Sequence, residues 1–117
     1  MDKQLIITRL AALPGEIEEA EWAVLDSHAR LSDAKERLTD REAQLLLGGG
    51  IDGKNAEFRS AQLRGLTVAE RQAVTEAETL LAKRRATLGK LINEFRALDA
   101  VVRLLTSIRC GATQEVA

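Results

Sequence analysis

The sequence predicts an all-α protein, an antiparallel two-long-helix hairpin (coiled coil) with a short N-terminal helix and a short helix at the tip. Three observations predict it. Leu10, Ile17, Val24, Leu31, Leu38 and Leu45 recur at strict seven-residue intervals, and Val74, Leu81, Leu88, Phe95 and Val102 do so again, which is the period of an apolar row on a helix packed against another helix. Between the two rows lie Gly48, Gly49 and Gly50, and glycine readily takes the left-handed backbone that ends a helix. Finally, 30% of residues are charged, 3% are aromatic and Pro14 is the one proline, a composition typical of long helices.

Taken in order, residues about 3–12 read as a short helix. It ends before Pro14, because proline lacks an amide donor and restricts the residue before it, yet suits the first position of a helix. A long helix then covers 14–47. Glu16, Glu18, Glu19 and Glu21 stand in its first turns, where negative charge complements the helix dipole. Its second row is Leu13, Ala20, Ser27, Ala34 and Arg41, small where the first row is large. Residues 48–66 form a glycine-rich turn and a short helix, with Asn55 as N-cap and Gly65 as terminator. Thr67 and Glu70 have the spacing of a capping box and open the second long helix, 67–109. Its second row is Ala77, Arg84, Leu91, Leu98 and Leu105, and residues 110–117 read as a tail. One domain of this length covers the chain.

Filling each layer of the hairpin without voids sets an expected register, open to a shift of one heptad, in which Ala20, Ser27 and Ala34 oppose Val102, Phe95 and Leu88. Arg41 and Arg84 then fall on the seam near the loop, their heads reaching past it toward water. A two-helix seam buries little for its length. Leu5, Ile6 and Ile7 therefore offer the short helix a place to dock beside Val101, Leu104 and Ile108, or these residues serve a dimer. Trp22 and Leu25 make a further outer patch, and a large exposed aromatic calls for a cover. The sequence thus points to a homo-oligomer, with Trp22, Leu25, Val101, Leu104 and Ile108 as its contact residues.

The net charge of −1 conceals an asymmetry: residues 1–47 carry 6 basic and 10 acidic side chains, and residues 48–117 carry 11 and 8. The plainer meaning is that the halves attract each other; the sharper one is that the basic half meets nucleic acid. No apolar run approaches the roughly 18 residues of a membrane span, and the opening Met-Asp-Lys-Gln lacks the pattern of a secretory signal, so a cytoplasmic location is expected. One cysteine, Cys110, and one histidine, His28, are too few for a structural zinc site of about four ligands, and neither a metal nor a cofactor is expected.

Candidate chemistry is sparse. The run from Gly48 to Asn55 has the glycine and lysine spacing of a phosphate loop, but Asn55 stands where the magnesium-binding hydroxyl belongs and no strand precedes it. His28 has no nucleophile at hand, and Ser27, Thr67, Thr75 and Cys110 lack a triad partner, so the expectation is a non-enzyme. Lys83, Arg85 and Lys90, with Arg84 between them, form a basic cluster suited to phosphates. No aromatic residues are interleaved to stack bases, and pairing with the acidic first helix is the weightier reading.

The stretch 51–63, through Ile51, Gly53, Asn55, Ala56, Arg59, Ala61, Gln62 and Leu63, resembles a turn-and-short-helix signature of small phage and prophage coiled-coil proteins of mostly unassigned function. That resemblance implies an accessory role in DNA metabolism or in countering a host system, in the host cytoplasm, and it carries no catalytic residues. Asn55, Arg59 and Gln62 are polar and fall where one exposed face of the short helix would present them to a protein partner. The plainer reading of the tip is structural: Asn55 caps, Phe58 and Leu63 pack on the hairpin end, and Arg59 stays in solvent. The expectation is a binding protein that captures another protein through the tip from Ile51 to Leu66 or through the apolar patches around Trp22 and Val101, and the alternative is a nucleic-acid module using Lys83, Arg85 and Lys90.

Overall fold

The computed structural model describes residues 2–116, with side chains as far as Arg109. Three helices follow in order: α1, Lys3–Leu47; α2, Ala56–Leu66; and α3, Val68–Val116. No strand occurs among the described residues. The two long helices pack against each other, and the chain divides into two compact units, Met1–Trp22 with Arg85–Ala117, and Ala23–Arg84.

In the first unit α1 passes through Pro14 without a break, where the sequence predicts two helices. Proline inside a helix removes one amide bond and crowds the preceding turn, at a cost of about 3 kcal/mol. Contacts on both sides of it oppose a break. Ile6, Leu13 and Ala20 are all buried, at unbroken seven-residue spacing across the proline, while Pro14 itself is exposed. Arg9, before Pro14, reaches the carboxylate of Glu16 beyond it and binds Glu94 of α3 through Nε to Oε1 at 2.5 Å and Nη2 to Oε2 at 2.8 Å. The expected first-turn glutamates therefore lie well inside the helix. Its N-terminus is capped by Asp2 instead, whose Oδ1 accepts from the Gln4 amide at 3.0 Å.

In the second unit Ser27 and Ala34 are buried, and Leu31, Leu38 and Leu45 are half-buried. The small row thus lies deepest, flanked by the large one. Ser27, expected opposite Phe95, meets Arg84, whose Nη1 donates to Ser27 Oγ at 2.8 Å, to the Ala23 carbonyl at 3.1 Å and to Asp26 Oδ2 at 2.9 Å. Ala34, expected opposite Leu88, shares a surface recess with Ala77. Side-chain volumes alone favour the expected register, and the hydrogen bonds of Arg84 accompany a different one. A guanidinium at a helix seam requires acceptors, and a small serine row provides both the room and the oxygen. Arg41 is exposed and turns along its own helix to Gln44 Oε1 at 3.5 Å.

Only Thr67 separates α2 from α3, and it is fully buried. Its hydroxyl donates to the Leu63 carbonyl at 2.8 Å and accepts from Arg71 Nε at 3.0 Å, so the expected capping box with Glu70 does not form. The reason is that α2 runs past Gly65 to Leu66, leaving Thr67 to bond backward to the last turn of α2. At its other end α3 continues beyond Arg109, where the sequence predicts a tail; no proline stands there to stop it.

Replacing the exposed Pro14 by alanine restores the missing amide donor with no loss of buried contact. Pro14→Ala is expected to stabilise the protein by about 1–3 kcal/mol, read as a raised midpoint in circular-dichroism melting. A lowered midpoint would mean that the proline is required by the packing around it.

Candidate functional site

The tip belongs to the second unit and is built from its own hydrogen bonds. Gly49 has φ of 75°, the left-handed conformation that ends α1, and the Gly50 amide returns to the Leu45 carbonyl at 3.0 Å. Asn55 caps α2, its Oδ1 accepting from the Phe58 amide at 2.8 Å. Gln62 reaches back across the loop. Its Oε1 accepts from the amides of Asp52 and Gly53, each at 3.1 Å, and its Nε2 donates to Asp52 Oδ1 at 2.8 Å and the Gly50 carbonyl at 3.4 Å. Arg59 Nη1 donates to the Gly53 carbonyl at 3.3 Å. Gly53 lies so close to α2 that a Cβ there would stand 2.9 Å from the Arg59 nitrogen, which excludes any side chain.

Of the three residues expected to face a partner, Arg59 and Gln62 thus bind the loop with their polar groups and Asn55 binds the first turn of α2. The same bonds answer the phosphate-loop spacing, since the amides of Asp52 and Gly53 that an anion cradle would offer are taken by Gln62. The residue presented outward is Phe58, 66% exposed, rather than packed on the hairpin end. It borders a recess lined also by Asp52, Gly53, Lys54 and Asn55. The legible signal was the capping itself: with Asn55 as N-cap, Phe58 occupies the third helical position, one turn from the loop that Gln62 holds.

Of the expected oligomer residues in the first unit, Leu104 and Ile108 are 61% and 60% exposed, and Trp22 is equally open. Val101 is half-buried. Leu5, Ile7 and Leu105 add further exposed apolar surface to that unit. Leu25 is exposed in the second unit. The basic cluster is partly committed: Arg84 is bound to α1, Lys83 and Arg85 have interactions of their own, and Lys90 is exposed.

Two carboxylates are held below their ordinary range, Asp26 chiefly by its hydrogen bond from Arg84 and Glu94 chiefly by those from Arg9; hydrogen bonds to Glu94 and then Glu16 hold the Arg9 guanidinium further above its own. Among the described residues no group of three or more His, Cys, Asp or Glu side chains is placed to hold a metal ion, and no helix is long and apolar enough to cross a membrane. No family model, curated protein or solved structure matches the chain.

Two outcomes follow from these bonds. Gln62→Ala frees the loop, so amide hydrogen exchange at Asp52 and Gly53 accelerates by about tenfold or more, as loss of hydrogen bonds worth about 1–3 kcal/mol requires; unchanged exchange would show that the loop is held by other means. Because Asp26 and Glu94 have lowered folded pKa values, their contribution is fully present above the ordinary carboxylate range and is lost as pH falls through the folded values. The melting midpoint should therefore drop on acidification below about pH 4, and Arg9→Gln and Arg84→Gln should each flatten that drop.

Proposed function

We propose that the protein is a non-catalytic accessory protein that acts by binding another protein, with the tip from Ile51 to Leu66 as its recognition element. The observation that carries this reading is Phe58, exposed on a loop and helix start immobilised by Gln62, Asn55 and Arg59. A large aromatic on a preorganised support is what a binding anchor needs, because little conformational entropy remains to be lost on association. The polar groups of Asn55, Arg59 and Gln62 then act as positioning groups for Phe58 and Lys54.

In this reading the two long helices are an antiparallel coiled-coil hairpin that carries the tip. In the Ala23–Arg84 unit, Ser27 bonds Arg84, Ala34 borders Ala77 and Glu42 lies 4.0 Å from Arg71, so the pairing climbs α1 as it descends α3. The setting proposed for this binding is the phage-type role that the 51–63 resemblance implies, in DNA metabolism or in countering a host system.

The test is photocrosslinking in the expressing cell, with benzoylphenylalanine at position 58 and, as control, at the exposed Glu78. A discrete adduct to a second protein at position 58 only, lost when Gln62→Ala loosens the loop, is expected. Equal labelling at both positions would sink the reading. Salt-resistant binding of duplex DNA, lost on charge reversal of Lys83, Arg85 and Lys90 while position 58 gives no adduct, would replace it with the nucleic-acid alternative.

A further inference from the structure

The C-terminal third of α3 carries two apolar stripes. One is Phe95, Leu98 and Val102, half-buried, with Val102 and Leu105 bordering the same recess as Ile6 and Ile7 of α1. The other is Ala97, Val101, Leu104 and Ile108, spaced by four, three and four residues, which is again the spacing of a helix seam. It is rotated away from the first by about one residue, or 100°. Ala97, Leu104 and Ile108 are exposed and Val101 is half-buried. A helix with two seams requires neighbours on two sides, and the unit formed by Met1–Trp22 and Arg85–Ala117 contains one other helix segment.

We infer that the Ala97, Val101, Leu104 and Ile108 stripe is the interface with a second copy of this chain, the two α3 helices crossing antiparallel about a two-fold axis between residues 102 and 103. Self-pairing follows from three properties of the stripe. Its order is self-complementary: about that axis Ala97 meets Ile108 and Val101 meets Leu104, so every layer sets a larger side chain on a smaller one. Its flanks are uncharged, Ala100 and Ser107 on one side and Leu98 and Leu105 on the other, while Asp99 and Arg103 pair with each other at 3.1 Å. An identical copy therefore brings no like charges together, and a charged partner would find no complement. Its area suits a weak contact: Leu104 and Ile108 are 61% and 60% exposed and Val101 is half-buried, so two copies bury less than the roughly 1,200 Å² at which stable interfaces begin. The association is thus a weak one, with Kd expected in the micromolar range.

The experiment is sedimentation velocity of the full chain from about 1 to 200 μM, paired with disulfide trapping in a Cys110→Ala background. Expected are a monomer–dimer equilibrium, abolished by Leu104→Glu and unaffected by Ile7→Glu, with unchanged helical circular dichroism in both variants. A mixture of Val101→Cys and Leu104→Cys chains should give the mixed disulfide in preference to either homodimer. A monomer at every concentration, a dimer that survives Leu104→Glu, or preferential 101–101 and 104–104 disulfides would each overturn the inference. No second protein enters this assay, so its result is independent of whether Phe58 recognises a partner.

Discussion

A guanidinium at a helix seam has two stable options, to bind acceptors or to leave, and Arg84 takes the first. Its bonds to the Ala23 carbonyl, Asp26 and Ser27 fix which residue of α3 lies against which residue of α1 in the Ala23–Arg84 unit. An apolar seam of alanines and leucines tolerates a heptad slip at modest cost, since every layer resembles the next. A slipped Arg84 would lose three acceptors at once, and Ser27, fully buried, would face an apolar side chain. One polar layer therefore specifies what the apolar layers leave degenerate, the role best attested for isolated polar groups in helix seams. Arg41, placed by the heptad on the same row of its own helix as Ser27, shows the other option and lies in solvent beside Gln44.

The same economy appears at the tip. Gln62 satisfies two amides and two oxygens of the loop from a single side chain, Asn55 closes the start of α2, and Gly53 permits the backbone approach that brings them together. Polar residues that look like recognition groups in a linear reading are consumed by holding the turn, and an apolar one is left outside. Phe58 lies one turn before Gln62 on α2 and borders the recess lined by Asp52, Gly53, Lys54 and Asn55, yet the polar loop leaves two-thirds of it uncovered. On the first unit the large exposed side chains have a different origin: two helix segments bury one face each, and Leu104, Ile108, Trp22 and Leu5 occupy the faces left over.

What the sequence by itself determined was the helical class, the glycine end of α1 and the Asn55 cap of α2, because seven-residue periodicity, left-handed glycine and N-cap chemistry are local properties that few neighbouring residues can override. The row Leu13, Ala20, Ser27 and Ala34 was legible as a seam for the same reason. Only the tertiary structure decided the rest. Pro14 stays within α1 because Ile6, Leu13 and the Arg9–Glu16–Glu94 cluster bind both sides of it, and nothing in the local sequence announces that Glu94 will be there. Thr67 abandons the capping box because α2 ends immediately before it. The register follows Arg84 because hydrogen-bond satisfaction of one buried serine and one guanidinium outweighs the fit of side-chain volumes, and which acceptors they meet is fixed by residues some 60 positions apart in the chain.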